Sequence, residues 1–229
     1  MDGFILINKP TGPTSHDIVE DFRAISGISE VGHAGTLDPF AEGLLILLVG
    51  AFTKKSENFL KLPKTYEAVL RLGFESDSDD ITGKIVETRE FAIPLREDVE
   101  GALEKFRGKI SQIPPKFSAI KRGGKKAYEL ARKGIDPDLL PREVEVFKIE
   151  TAWYKFPLLS LELEVSSGTY IRAIARDLGK MLQTGAFLTQ LKRTSVGGYL
   201  LEDAVDIRKL NSGNWRSFIK TSPLPEKKW

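Results

Sequence analysis

Two stretches with regular alternation of polar and apolar residues, Val144 to Tyr154 and Leu158 to Val165, constrain the fold more than any other feature of the chain. Successive side chains of a β-strand point to opposite faces, so a period of two predicts strands with one buried face. The two stretches are expected to be neighbouring strands. Tyr66, Ala68, Leu70 and Leu72 alternate with Thr65, Glu67, Val69 and Arg71 and predict another strand. Phe4 to Ile7, stopped by Asn8-Lys9-Pro10-Thr11-Gly12-Pro13, and Leu44 to Val49, flanked by glycine, read as buried strands. Ile81-Thr82-Gly83 predicts a turn into a strand over Lys84 to Thr88.

Helical spacing appears in between. Ile18, Val19, Phe22 and Ile25 fall on one face of a helix capped by Thr14 or Ser15 and ended by Gly27. Ala51 to Leu62 is expected to be helical. Val99, Leu103 and Phe106 mark an amphipathic helix ending at Gly108, and Tyr170 to Leu182 carries a further helical pattern. Strands and helices mix without a regular βαβ rhythm and without repeats, which predicts an α+β fold with an antiparallel or mixed sheet. The 229 residues suit one large domain or one domain with a small appendage, with a possible boundary near Leu210-Asn211-Ser212-Gly213.

Composition excludes some chemistry. The chain has no cysteine, which rules out disulfides, thiolate metal sites and thiol catalysis. No apolar run has membrane-spanning length, and no basic region precedes the apolar segment after Met1, so a cytoplasmic protein is expected. The net charge of +2 hides an uneven distribution. Lys116, Lys121, Arg122, Lys125, Lys126, Arg132 and Lys133 crowd one segment against Glu129 alone, while Glu75 to Asp80 is strongly acidic. The basic segment suits a local contact with a polyanion; a solvated lysine-rich face fits the charge alone equally well.

The segment richest in chemistry is Gly32-His33-Ala34-Gly35-Thr36-Leu37-Asp38-Pro39. It sets one carboxylate, Asp38, after two glycines and before a proline that biases it away from helical backbone. Alone, this is also the composition of an ordinary turn. It is accompanied by Lys9-Pro10-Thr11-Gly12 after the first strand and by Lys64-Thr65-Tyr66 at a strand start. Further on come Gln112-Ile113-Pro114-Pro115-Lys116-Phe117-Ser118, Ser167-Gly168-Thr169-Tyr170-Ile171-Arg172 with Asp177-Leu178-Gly179, and Leu191-Lys192-Arg193.

In this order and at these spacings, the motifs closely resemble the TruB family of tRNA pseudouridine synthases from Lys9 to about Ala204. The resemblance implies a pseudouridine synthase fold: an α+β architecture with a central mixed, largely antiparallel sheet flanked by helices and loops. It implies isomerisation of uridine to pseudouridine at position 55 in the TΨC loop of tRNA. The base must be flipped out of its stack at a cost of about a few kcal/mol. Asp38 matches the family's essential aspartate, acting by attack on C1′, by removal of the 2′ proton or by addition to the base. Arg172 matches the arginine that pairs with this aspartate, Tyr66 the tyrosine packed against the target base, and Tyr170 and Leu191 positions lining the uracil pocket. His33 matches a histidine that stacks on a displaced base. Lys9 and Pro10 match a motif supporting the aspartate loop. The insertion around 112–140, with Lys116, Lys121, Arg122, Lys125 and Lys126, matches one that touches RNA, where lysine contacts to phosphate make binding salt-sensitive. No cofactor and no metal are implied, since the reaction is neither redox nor group transfer between substrates.

The resemblance also implies a catalytic domain over 1–210. Bacterial relatives continue into a PUA-type domain, for which residues 211–229 leave room only as a short tail. Ala34 stands where relatives carry threonine or glycine, and Val165-Ser166-Ser167 replaces a Cys-Ser-Lys run. A monomer with no obligatory protein partner is expected. The competing readings are a tRNA-folding chaperone that splays the elbow loop without chemistry and a guide-dependent catalytic subunit. A glycoside hydrolase would need a second carboxylate across the sugar.

Overall fold

The computed structural model describes residues 1–222; residues 223–229 of the expected tail lie outside the described residues. The chain runs β1 (Gly3–Lys9), α1 (Ser15–Ser26), β2 (Val31–His33), β3 (Glu42–Val49), α2 (Ser56–Leu60), β4 (Lys64–Leu72), β5 (Phe74–Ser76), β6 (Ile85–Glu87), α3 (Arg96–Leu103) and β7 (Gly108–Gln112). It continues through β8 (Lys121–Arg122), β9 (Lys125–Lys126), α4 (Ala127–Ala131), β10 (Arg142–Lys155), β11 (Leu158–Val165), α5 (Ile171–Met181), β12 (Ala186–Val196), β13 (Tyr199–Leu200) and β14 (Val205–Asp206). It forms two compact units, Met1–Glu67 with the chain from Leu191 onward, and Ala68–Gln190. The divisions fall inside β4 and β12.

In the first unit β3 pairs with β1 antiparallel from Gly3↔Val49 to Lys9↔Gly43, and with β2 antiparallel from Val31↔Val49 to His33↔Leu47. It also pairs parallel with the end of β12, Lys192↔Glu42 and Arg193↔Gly43. With partners around it, β3 is buried from Gly43 to Val49, which accounts for its unbroken apolar sequence. Phe4, Leu6, Leu44, Ile46 and Leu48 point into one core with Phe52, Phe59, Val196 and Tyr199. The alternate residues Ile5, Ile7, Leu45 and Leu47 are buried too. α1 is held by a capping box in which Thr14 accepts from the Asp17 amide and Asp17 accepts from the Thr14 amide; Gly27 ends it in the left-handed conformation. Its Phe22 meets Trp215 edge-on with ring centroids 5.7 Å apart.

In the second unit β10 pairs antiparallel with β11, the neighbour expected from the alternating stretches, and also with β7, a strand the sequence did not suggest. Leu159, Leu161, Leu163 and Val165 are buried with Val99, Leu103 and Phe106 of the α3 region and Ile171, Ile174 and Leu178 of α5. Two hairpins, β5–β6 and β8–β9, stand apart as two-stranded sheets. Expected and observed elements differ chiefly over Ala51 to Leu62. Gly50–Lys55 is a 3₁₀ turn, and only Ser56–Leu60 is α-helical. Thr53 donates its hydroxyl to the Gly50 carbonyl at 2.7 Å, a local bond that competes with regular helix. The fold class is α+β.

Candidate active site

The Asp38 loop joins β2 to β3, and its carbonyls are engaged along its length. The Gly35 and Thr36 carbonyls accept from Arg193 Nη2 at 3.0 Å and, more weakly, Nη1 at 3.4 Å. The Leu37 carbonyl accepts from Ser15 Oγ at 3.1 Å, and the Leu37 amide donates back to that oxygen at 2.8 Å. The Asp38 carbonyl accepts from the Ala41 amide, closing a turn at 3.1 Å, and the Pro39 carbonyl accepts from the Gly12 amide at 2.8 Å. Thr11 Oγ1 approaches the Phe40 carbonyl at 3.5 Å, and Lys9 Nζ donates to the Ala41 carbonyl at 2.8 Å. Every carbonyl from Gly35 to Ala41 is therefore engaged. A loop held in this way presents its one carboxylate from a fixed backbone.

Two glycines are needed for the geometry. Gly35 has φ +99, open to glycine and strained for other residues. Gly43 has φ +106, and a Cβ there would stand 2.3 Å from the Arg193 carbonyl oxygen, so only glycine lets β12 approach where the loop re-enters β3.

Lys9 is fully buried at the end of β1, and its ammonium also donates to the Pro10 and Pro13 carbonyls at 2.9 and 2.8 Å. Burial pushes its pKa down to about 8, opposed by the nearby Asp38 carboxylate and reinforced by Arg193. Lys64 is likewise pushed to about 8 by burial and donates to the Leu60 and Leu62 carbonyls. His33 lies half-buried on β2; burial, with Arg193 nearby, lowers its pKa and favours the neutral imidazole. Tyr66 on β4 and Leu191 on β12 are buried, and Pro10 is half-buried. Asp38 itself is half-buried. Lys9, Pro10, His33, Asp38, Tyr66 and Leu191 thus all belong to the first unit.

Tyr170, Arg172 and the basic segment belong to the second. Tyr170 precedes α5 and is docked through its main chain: its amide donates to Gln112 Oε1 at 2.8 Å, and Gln112 Nε2 donates to its carbonyl at 3.1 Å. Arg172, in the first turn of α5, is buried and donates to Asp80 Oδ2, the Ser78 carbonyl and the Phe117 carbonyl, each at 3.1 Å. One turn on, Arg176 pairs with Asp79 at 3.0 Å and Asp177 at 2.9 Å and donates to the Ile113 carbonyl at 2.8 Å. Both arginines therefore grip the start of the insertion. Lys121, Arg122, Lys125 and Lys126 lie exposed on the β8–β9 hairpin. Lys116 is exposed as well and pairs with Asp136 at 2.8 Å; Arg122 pairs with Asp138 at 3.2 Å.

Asp79 carries a testable charge. Burial raises its pKa to about 6 despite the opposing Arg176 and Arg172. Between the ordinary 3.8 and about 6 the folded protein binds this proton more tightly than the unfolded chain, so Asp79's contribution to stability falls as pH rises through that window. Asp79 sits at φ +63, which asparagine also tolerates. Asp79→Asn is therefore expected to flatten the pH dependence of urea unfolding between about pH 4 and 6. An unchanged slope would show that Arg176 compensates its charge fully.

Sequence reasoning assigned no site role to Ser15, Asp79 or Asp80, and Arg193 entered only as the last residue of the Leu191-Lys192-Arg193 motif. Ser15 was an alternative helix cap, but Thr14 does the capping and frees the Ser15 hydroxyl for Leu37. Arg193 is two residues after Leu191 and buried like it, which the period of β12 could have signalled. Asp79 and Asp80 are buried within a run whose charge suggests solvent. Among the described residues no group of three His, Cys, Asp or Glu side chains is arranged to hold a metal ion, and no helix is long and apolar enough to cross a membrane.

This architecture is that of pseudouridine synthases. A solved Cbf5-Nop10-Gar1 complex contains a chain that superposes with a TM-score of 0.71 at 26% identity, covering 90% of this chain and 52% of that one. An H/ACA RNP bound to a substrate RNA containing 2′-deoxyuridine gives 0.67 at 24% identity, with 90% and 51% covered, and supports the fold alone. This chain thus spans about half the length of those solved chains. Residues 23–171 match the TruB family pseudouridylate synthase (N terminal domain). Curated relatives include tRNA pseudouridine synthase B of Protochlamydia amoebophila, 44% identical over 207 residues, covering 90% of this chain and 78% of the relative. The protein of that name from Dechloromonas aromatica is 44% identical over 212 residues, with 93% and 71% covered. The chain belongs to the TruB family and is a pseudouridine synthase, an isomerase.

Proposed function

We propose that this protein isomerises uridine to pseudouridine at position 55 in the TΨC loop of tRNA, with Asp38 as the catalytic carboxylate. The observation that carries the reading is the run of engaged carbonyls from Gly35 to Ala41, which presents one carboxylate from a fixed frame. The relatives' name, tRNA pseudouridine synthase B, supports tRNA as the substrate class. Asp38 acts on a nucleotide swung out of its loop, where any route from C1′–N1 to C1′–C5 requires an ionised carboxylate beside the ribose or the base. Aromatic contact with Tyr66 and Tyr170 offsets the unstacking, at about 1–3 kcal/mol per stacked base. Leu191 completes the apolar lining, Arg172 supplies a cation to the substrate site, and neutral His33 stacks on a displaced loop base. Lys9 and Pro10 support the Asp38 loop.

Residues 1–210 act as the catalytic domain. Within it the insertion around 112–140 meets RNA phosphates through Lys116, Lys121, Arg122, Lys125 and Lys126. The protein works in the cytoplasm as a monomer, with no obligatory protein partner. The test is incubation of the purified chain with an unmodified tRNA transcript, followed by pseudouridine mapping along the whole sequence. Product confined to position 55 is expected. Tight binding without product would overturn the reading in favour of a folding chaperone, and product elsewhere would overturn the site preference.

A further inference from the structure

We infer that Ser15 and Arg193 are positioning residues for the reaction: they fix the backbone on which Asp38 is carried. The inference rests on the proposed role of Asp38 and deepens it.

Ser15 is 1% exposed, and its hydroxyl makes two bonds to one residue, accepting from the Leu37 amide and donating to the Leu37 carbonyl. Leu37 directly precedes Asp38, so these bonds define the peptide plane from which Asp38 leaves. The hydroxyl has no capping duty, because Thr14 and Asp17 perform it. Arg193 is also 1% exposed, and its hydrogen bonds go to main-chain carbonyls rather than to a carboxylate. Burying a guanidinium is costly unless its donors are satisfied. Here Nε donates to the Leu44 carbonyl at 2.7 Å, while Nη1 and Nη2 reach Thr36 and Gly35. The planar fork therefore ties backbone before Asp38 to backbone after it, a reach that a single ammonium lacks.

The base of this fork is fixed as well. Arg193 pairs with Gly43 across the parallel β3–β12 ladder, where the absent Cβ allows close approach. Two buried polar groups from opposite ends of the sequence, one at the start of α1 and one on β12, thus converge on three consecutive residues, Gly35 to Leu37. Nothing in this geometry gives either side chain a chemical step. Their effect is on where the carboxylate stands, and a misplacement of about 1 Å at a reacting group costs about 100-fold in rate.

The test is steady-state kinetics of Ser15→Ala, Arg193→Lys and Arg193→Met on unmodified tRNA, with Asp38→Asn as the reference and thermal melts run alongside. Ser15→Ala is expected to lower kcat about 10–100-fold while KM for tRNA stays within about threefold, because the loss concerns geometry at the reacting atoms. Arg193→Lys keeps the charge and one donor nitrogen, so it should retain more kcat than Arg193→Met. If the Arg193 variants do not fold, Ser15→Ala decides the matter. A Ser15→Ala protein with unchanged kcat would overturn the inference, as would activity losses that merely track the unfolded fraction at the assay temperature. An inactive wild type, or an active Asp38→Asn, would instead sink the proposed function itself.

Discussion

Asp38→Asn is expected to abolish pseudouridine formation while tRNA binding and the folded circular-dichroism spectrum are retained. The amide keeps the size and shape of the carboxylate but is neither a nucleophile nor a base at neutral pH. The loop that carries it is held by main-chain bonds in which the Asp38 side chain takes no part, so the frame survives the change. General-base catalysis contributes about 10²–10⁴-fold, and removing a nucleophile or a base that acts as a unit with its neighbours costs on the order of 10⁶-fold. Single-turnover assays with enzyme in excess, followed by pseudouridine mapping, measure this range and exclude product release as the cause. Product formed at the wild-type rate would remove Asp38 from the reaction.

Much of the frame that carries this residue was legible in the sequence, because local periodicity reports burial. The alternation over Val144 to Tyr154 and Leu158 to Val165 predicted β10 and β11 as neighbours, and they pair. The apolar spacing of α1, with Thr14 ahead and Gly27 behind, predicted a helix that the structure bounds at Ser15 and Ser26. The turn character of the Asp38 segment was equally visible in its glycines and proline. The grip on that turn was not. Ser15 reaches Leu37 across 22 positions and Arg193 reaches Gly35 across 158, and bonds from a side chain to distant backbone leave no periodic trace. A buried aspartate in an acidic run is hidden for a related reason: composition records charge, while the Arg176 partner of Asp79 comes from a helix 97 positions away.

Lys9→Met is expected to lower both stability and rate, and the two are expected to respond to alkaline pH with opposite signs in the wild type. Methionine preserves the unbranched stem but removes the ammonium, leaving the Pro10, Pro13 and Ala41 carbonyls without their donor. Stranding a buried acceptor costs about 1–3 kcal/mol, partly offset because the buried charge and its desolvation cost disappear. Since Ala41 closes the turn that begins at Asp38, the rate should fall about 100-fold as the loop loosens. In the wild type Lys9 loses its proton at about pH 8, and a neutral amine has only two N–H groups for three carbonyls. Activity should therefore decline above that pH. Stability should move the other way. The unfolded chain holds this proton up to about 10.5 and so binds more protons than the folded protein between those values; Lys9's contribution to stability therefore rises with pH there. Lys64 adds a similar slope but bonds to Leu60 and Leu62 rather than to the Asp38 loop. Lys9→Met should accordingly remove the alkaline decline in rate and only part of the alkaline rise in stability. Rate and urea-unfolding profiles from about pH 7 to 10.5 measure both limbs, and a Lys9→Met enzyme with the wild-type rate profile would place the alkaline transition on another group.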